Sequence, residues 1–204
     1  MKKILIVGAV VLPLVALGTY FAFGRPPRAE EGLRCGSFEP PREAPAFSLD
    51  GSNGRKVSLR DHLGKVVILQ FGFTSCQKVC PVTLARLTEV YKKLGRAAQD
   101  VQLIYVTVDP GRDSPERLRQ HLSAFNSSFL GATGAPDELA EVRKNYGIVA
   151  EQVVSRNQAL GYEVNHSSSL YLVDRQGKVR GLVPFGTPAD DIAHDLELLL
   201  KMRS

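Results

Sequence analysis

Residues 65–81 read KVVILQFGFTSCQKVCP, and this stretch decides the fold. Val66, Val67, Ile68, Leu69 and Phe71 form a near-continuous apolar run, the pattern of a strand buried on both faces. A short polar turn follows, carrying Cys76 and Cys80, and then Pro81, which suits the first position of a helix. Leu84, Leu87, Tyr91 and Leu94 then recur at helical spacing. The two cysteines are thus expected where a buried strand ends and a helix begins, the edge at which open α/β sheets bind ligands. A helix N-terminus favours thiolate over thiol, and Lys78 between the cysteines adds to that field. Two thiolates on one short turn can close a disulfide or hold a soft metal ion. Inert core cysteines would not be expected in a polar turn.

Upstream of this stretch, Phe47–Asp50 and Arg55–Leu59 flank the turn Gly51-Ser52-Asn53-Gly54 and predict a hairpin. Downstream, Val101–Val108 is a second buried strand, and Pro115 begins a helix with Leu118, Leu122 and Phe125 inward. Phe129-Leu130 suggests a short strand. Leu139, Val142, Arg143 and Tyr146 mark another helix, which Gly147 closes. Ile148–Val154 is strand-like, Ser155–Gly161 is a polar insertion, and Tyr162–His166 returns. Ser169–Val173 and Val179–Phe185 make a hairpin about Asp174-Arg175-Gln176-Gly177, and Pro188 opens a last helix with Ile192, Leu196, Leu199 and Leu200 inward. This order is the thioredoxin plan: an α/β, thioredoxin-like (peroxiredoxin-related) fold with an N-terminal β-hairpin and an insertion before the histidine loop. One domain, residues 46–204, is expected.

The first 24 residues are of another kind. After Met1-Lys2-Lys3, the run Ile4–Phe23 is almost wholly apolar and about twenty residues long, enough to span a bilayer as a helix. We read residues 1–24 as a transmembrane anchor, the alternative being a cleaved signal with a small-x-small site at Ala16-Leu17-Gly18 or Ala22-Phe23-Gly24. Export of the remainder is the usual outcome for such a start. Residues 25–45, with Pro26, Pro27, Pro40, Pro41 and Pro45, read as an extended tether, and Cys35 as an exposed linker cysteine.

Composition narrows the function classes. The net charge is +5, and residues 1–34 hold five Lys/Arg against two Asp/Glu, so the body is nearly balanced. No dense basic block with interleaved aromatics occurs, so nucleic acid is not an expected partner. The methionines are Met1 and Met202, which excludes a Met-rich copper tract, and three cysteines do not make a disulfide scaffold.

CxxC oxidoreductases of this plan place a cis-proline opposite the cysteines, just before the next-to-last strand. No proline lies between Pro136 and Pro184 here, and Asn165-His166-Ser167-Ser168 occupies that place. The fold would therefore lay His166 against the cysteine loop. Cys76, Cys80 and His166 then make a Cys₂His donor set, which suits copper; zinc also accepts it, with water as fourth ligand. His62, His121 and His194 have no such support, and His121 and His194 are read as solvated.

The stretches FGFTSCQKVCP and VDPGRDSPERL (108–118), Asn165-His166 before SLYLVD, and the N-terminal anchor together resemble the Sco/SenC family. The resemblance runs from about Phe47 to the C-terminus. It implies copper held by Cys76, Cys80 and His166, in a thioredoxin-like domain on the extracytoplasmic side of a bacterial inner membrane. The implied role is assembly of the dinuclear copper centre of cytochrome c oxidase. In that role the protein is a copper donor to the target subunit, its thiol-disulfide reductase, or both, with other copper chaperones or thiol reductants as further partners. Gln77-Lys78 stands where many members have Pro-Asp, and Asn165 where Asp is common, so negative charge is removed around the site. Asp109 is a candidate outer contact. Alternatives are a general extracytoplasmic thiol-disulfide oxidoreductase, a redox or copper sensor, and a thiol peroxidase, since Val79-Cys80-Pro81 resembles a peroxiredoxin nucleophile segment that lacks Thr at Gln77.

Overall fold

The computed structural model describes residues 32–154 and 161–202. The strands are β1 (Gly36–Glu43), β2 (Ser48–Gly51), β3 (Lys56–Ser58), β4 (Val66–Gly72), β5 (Val101–Thr107), β6 (Leu130–Thr133), β7 (Ala150–Val154), β8 (Tyr162–His166), β9 (Leu170–Val173) and β10 (Lys178–Val183). The helices are α1 (Val79–Leu94), α2 (Pro115–Ser123), α3 (Pro136–Asn145) and α4 (Ala189–Lys201). Eight strands form one mixed sheet in the order β1-β10-β9-β4-β5-β6-β2-β3, and β7 and β8 pair separately. This is the expected thioredoxin-like α/β plan, with the β2–β3 hairpin and the β7–β8 excursion where the sequence places them.

The alternation of strand side chains builds two core layers. Val66 and Ile68 of β4, with Leu103 and Tyr105 of β5, pack beneath α1 and α4 against Leu84, Leu87, Leu196 and Leu199. Val67, Leu69 and Phe71, with Ile104 and Val106, face the other way, against Phe47, Leu139, Val142 and Tyr146. Every residue of β4 is buried, so this strand is the floor of both layers. It pairs in parallel with β5 over its whole length and antiparallel with β9. Burying each large aliphatic side chain here contributes about 1.5–3 kcal/mol.

Several expectations are corrected. The tether read through Pro45 ends earlier: Gly36–Glu43 is an edge strand, paired antiparallel with β10. Its register shifts between Ser37 and Arg42, and Pro40 and Pro41 lie in that irregularity. An edge strand tolerates prolines at such a bulge because the missing N–H is not needed by a second neighbour. Cys35 is half-buried, not an exposed linker residue, and its N–H donates to Asp195 Oδ2 at 2.9 Å. His121 is half-buried between the rings of Tyr105 and Phe125, with its pKa lowered by burial. His194 sits beside Asp195, its Nδ1 3.0 Å from Oδ1. Neither histidine is simply solvated. The expected membrane span, Ile4–Phe23, and most of the polar insertion, 155–160, lie outside the described residues. Among those described, no helix is long and apolar enough to cross a membrane.

Asp195 fastens the start of the domain. Its side chain is fully buried on α4 and accepts the backbone N–H groups of Arg34, at 2.7 Å, and Cys35. Burial alone would raise its pKa, but these hydrogen bonds outweigh it and hold the carboxyl below the usual range. Asp195→Ala strands two backbone donors and is expected to cost about 1–3 kcal/mol. Urea unfolding measures that loss, and amide exchange is expected to show faster opening confined to β1.

Candidate metal centre

The cysteine turn is built from the end of β4. Helix α1 starts at Val79, so Cys80 lies within its first turn and Pro81 sits two positions further in than the sequence suggests. Lys78 is the cap residue and its side chain makes no capping bond. The backbone N–H groups of Cys80 and Lys78, at this helix start, favour the thiolate form of Cys76.

The segment VDPGRDSPERL holds the turn in place. Asp113, wholly buried, accepts the Thr74 N–H at 3.0 Å, the Thr74 hydroxyl at 2.6 Å and the Thr107 hydroxyl at 2.7 Å. Arg117 donates to Thr74 Oγ1 at 2.7 Å and to Ser75 Oγ at 3.0 Å. Asp109 serves the opposite rim. It accepts from Arg112 Nε and from the Tyr162 hydroxyl, tying the loop after β5 to β8, the strand that ends in His166. Arg112 also lies over the Tyr162 ring at 3.8 Å. Asp109 is therefore a buried tie rather than a surface contact.

His166 is fixed from two sides. Its ring meets Phe73 edge-on, centroids 5.8 Å apart. Its Nδ1 lies 2.8 Å from the Ser167 carbonyl oxygen. A carbonyl only accepts, so Nδ1 carries the proton of the neutral ring and Nε2 keeps its lone pair. That Nε2 faces the Cys80 sulfur at 3.6 Å. The donor atoms of Cys76, Cys80 and His166 all lie within 4.8 Å of one another. Three donors around one ion, at bonds of about 2.0–2.3 Å, need separations of this size. The residues therefore fit a soft metal ion. Cys76 and His166 line a pocket of about 210 Å³, together with Phe73, Gln77 and Lys78.

The two cysteines differ. Cys76 is half-buried in the pocket, whereas Cys80 is 1% exposed. The Cys80 thiol, then the His166 ring and the two backbone donors, hold the Cys76 pKa down to about 3, against the burial that would raise it. Sharing its proton with Cys76, and burial, push Cys80 far up. The sequence did not reveal Gly72 and Tyr105 as parts of the site. A Cβ at Gly72 would lie 2.4 Å from the Tyr105 hydroxyl and 2.8 Å from the Cys80 sulfur, so only glycine leaves the sulfur its place. The glycine in FGF was the available signal.

A thioredoxin-like sheet whose cysteine turn is completed by a histidine, in the place of the usual proline, defines a class: thioredoxin-like domains able to hold a soft metal ion. Residues 37–201 match the SCO1/SenC family model, and the chain belongs to that family. A SCO2-like protein of Rickettsia conorii is 32% identical over 132 residues, covering 65% of this chain. The match spans 64% of that relative, just under two thirds of its length. The structure of Bradyrhizobium japonicum ScoI with copper bound superposes with a TM-score of 0.70 at 32% identity, covering 76% of this chain and 98% of that one. BsSco, described as a member of the Sco family of cytochrome c oxidase assembly proteins with a disulfide switch, gives a TM-score of 0.62 at 30% identity over 80% of this chain and 96% of its own.

In the reduced, metal-free protein, iodoacetamide is expected to alkylate Cys76 at a rate nearly independent of pH between about 5 and 8, because its pKa lies at about 3. An unperturbed cysteine, with a pKa near ~8.5, speeds up about tenfold per pH unit over the same range. Cys80 is expected to remain unmodified, and peptide mapping distinguishes the two.

Proposed function

We propose that this chain binds copper through Cys76 Sγ, Cys80 Sγ and His166 Nε2, and serves assembly of the dinuclear copper centre of cytochrome c oxidase. One observation carries the reading: the Ser167 carbonyl holds the Nδ1 proton, so the free lone pair of His166 faces the dithiol. Thiolates favour Cu(I), and imidazole supports both oxidation states. Zinc could use the same donors, and the copper-bound ScoI of Bradyrhizobium japonicum favours copper. The assembly role is supported by family membership and by the description of BsSco.

Copper is cargo in this reading. The residues position it: Asp113 and Arg117 clamp the turn, Phe73 and Ser167 orient the imidazole, and the buried Cys80 excludes water from one side. Oxidation of Cys76 and Cys80 to a disulfide removes two of the three donors, so redox state and metal holding are coupled. The protein either delivers copper to the oxidase subunit or reduces that subunit's cysteines so that they accept it. We place the domain on the extracytoplasmic side of a bacterial inner membrane, anchored by Ile4–Phe23, because that apolar run has the length of a span. A thiol peroxidase is disfavoured by the burial of Cys80 inside the first turn of α1.

Addition of Cu(II) to the reduced protein is expected to give a thiolate-to-copper charge-transfer band. His166→Ala is expected to abolish or shift that band and to weaken binding by more than about 100-fold, the upper end for loss of a mere outer partner. An unchanged spectrum would remove His166 from the site. Mixing the reduced, copper-free protein with an oxidised target subunit and counting thiols separates the two roles. Thiol transfer supports the reductase, and metal transfer from a loaded sample without thiol exchange supports the donor.

A further inference from the structure

We propose that the Tyr105 hydroxyl donates a hydrogen bond to the Cys80 sulfur as the Cys76–Cys80 disulfide opens, and so sets how fast the pair exchanges with an external thiol. The inference rests on the redox half of the function proposed above and names a residue that serves it.

Tyr105 stands on β5 with its side chain on the α1 face, wholly buried. Its hydroxyl has no hydrogen-bond partner, sulfur included, among the described residues. A buried hydroxyl without a partner is costly, and phenylalanine would fill the same space without that cost. What the hydroxyl faces is sulfur. The gap left by the missing Cβ of Gly72 is bounded by the Tyr105 hydroxyl on one side and by the Cys80 sulfur on another.

The chemistry of the pair gives the donor its use. An entering thiolate reaches the half-buried Cys76 from the pocket, while Cys80 is shielded beneath it. A bond forms from the entering sulfur to Cys76, and the Cys76–Cys80 bond breaks. Its electron pair goes to Cys80, in surroundings too apolar to solvate the charge well. The hydrogen bond of Tyr105 then falls on the atom that gains charge, and bonds to charged groups are the stronger kind. With dithiothreitol as reductant, its second thiol displaces Cys76 from the mixed disulfide. Dithiothreitol leaves oxidised, and its two protons finish on the cysteine pair. In the reverse sense, the same donor holds the Cys80 thiolate as it resolves a mixed disulfide between Cys76 and a target.

The test uses the full-length, metal-free protein in its oxidised form. The rate of reduction by dithiothreitol is followed by thiol labelling in the wild type, in Tyr105→Phe and in Tyr91→Phe. Tyr91 lies on the same face of the sheet, but its hydroxyl donates to the Val101 carbonyl, so it reports general loosening of this core. Tyr105→Phe is expected to slow reduction about tenfold with an unchanged or raised melting temperature, and Tyr91→Phe is expected to leave the rate as it was. An unaltered rate in Tyr105→Phe, or equal slowing in both variants, overturns the proposal while the redox pair stands. A wild-type protein that forms no reversible Cys76–Cys80 disulfide overturns both.

Discussion

The double-sided burial of β4 is the constraint on which the rest of the structure depends. A strand with no exposed residue must be covered by a layer on each face and flanked by a neighbour on each edge. Helices α1 and α4 supply one cover, and α3 with Phe47 and Tyr146 supplies the other. The parallel partner β5 fixes one edge and the antiparallel β9 the other. Both neighbours bring chemistry to the same end of the sheet. The loop after β5 delivers Asp109 and Asp113, and the segment before β9 delivers His166. The site is thus the point where three chain segments are forced together by one buried strand.

Carboxylates hold this arrangement rigid. Asp113 sits inside the protein because three donors satisfy it, two of them on Thr74. A buried carboxylate is tolerated only with such partners. The geometry of the cysteine turn is therefore set at its root by hydrogen bonds, and the sulfur atoms do not have to be positioned by the metal. Gln77 and Lys78, by contrast, are exposed at the rim. Asn165, the third residue that departs from the family pattern, is exposed as well.

Much of this was legible in the chain. The apolar run of β4 and the 3.6-residue spacing of α1 fixed where the cysteines stand, and the absence of a proline before β9 pointed to His166. The obscured parts share a physical cause. Asp113 and Thr74 are 39 positions apart, and nothing local shows that one caps the other. Tyr105 reads as one more apolar residue in a buried strand, because alternation gives its face but not what its hydroxyl meets. Residues 36–43 carry two prolines and look like a tether, since proline is excluded from central strands. Only their place at the edge of the sheet makes the strand possible. Cys35 was obscured in the same way, through a carboxylate 160 positions away.

The direction of β1 has a consequence for geometry at larger scale. Strand β10 runs parallel to β4, because each is antiparallel to β9, and β1 runs against β10. Gly36, paired with Leu182, therefore lies at the sheet edge that carries the cysteine turn, not at the opposite one. The described chain therefore enters the sheet at the pocket end. Had β1 run the other way, a strand length of about 20 Å would separate its first residue from that end. Any molecule that reaches the pocket approaches the sheet from the end at which β1 begins.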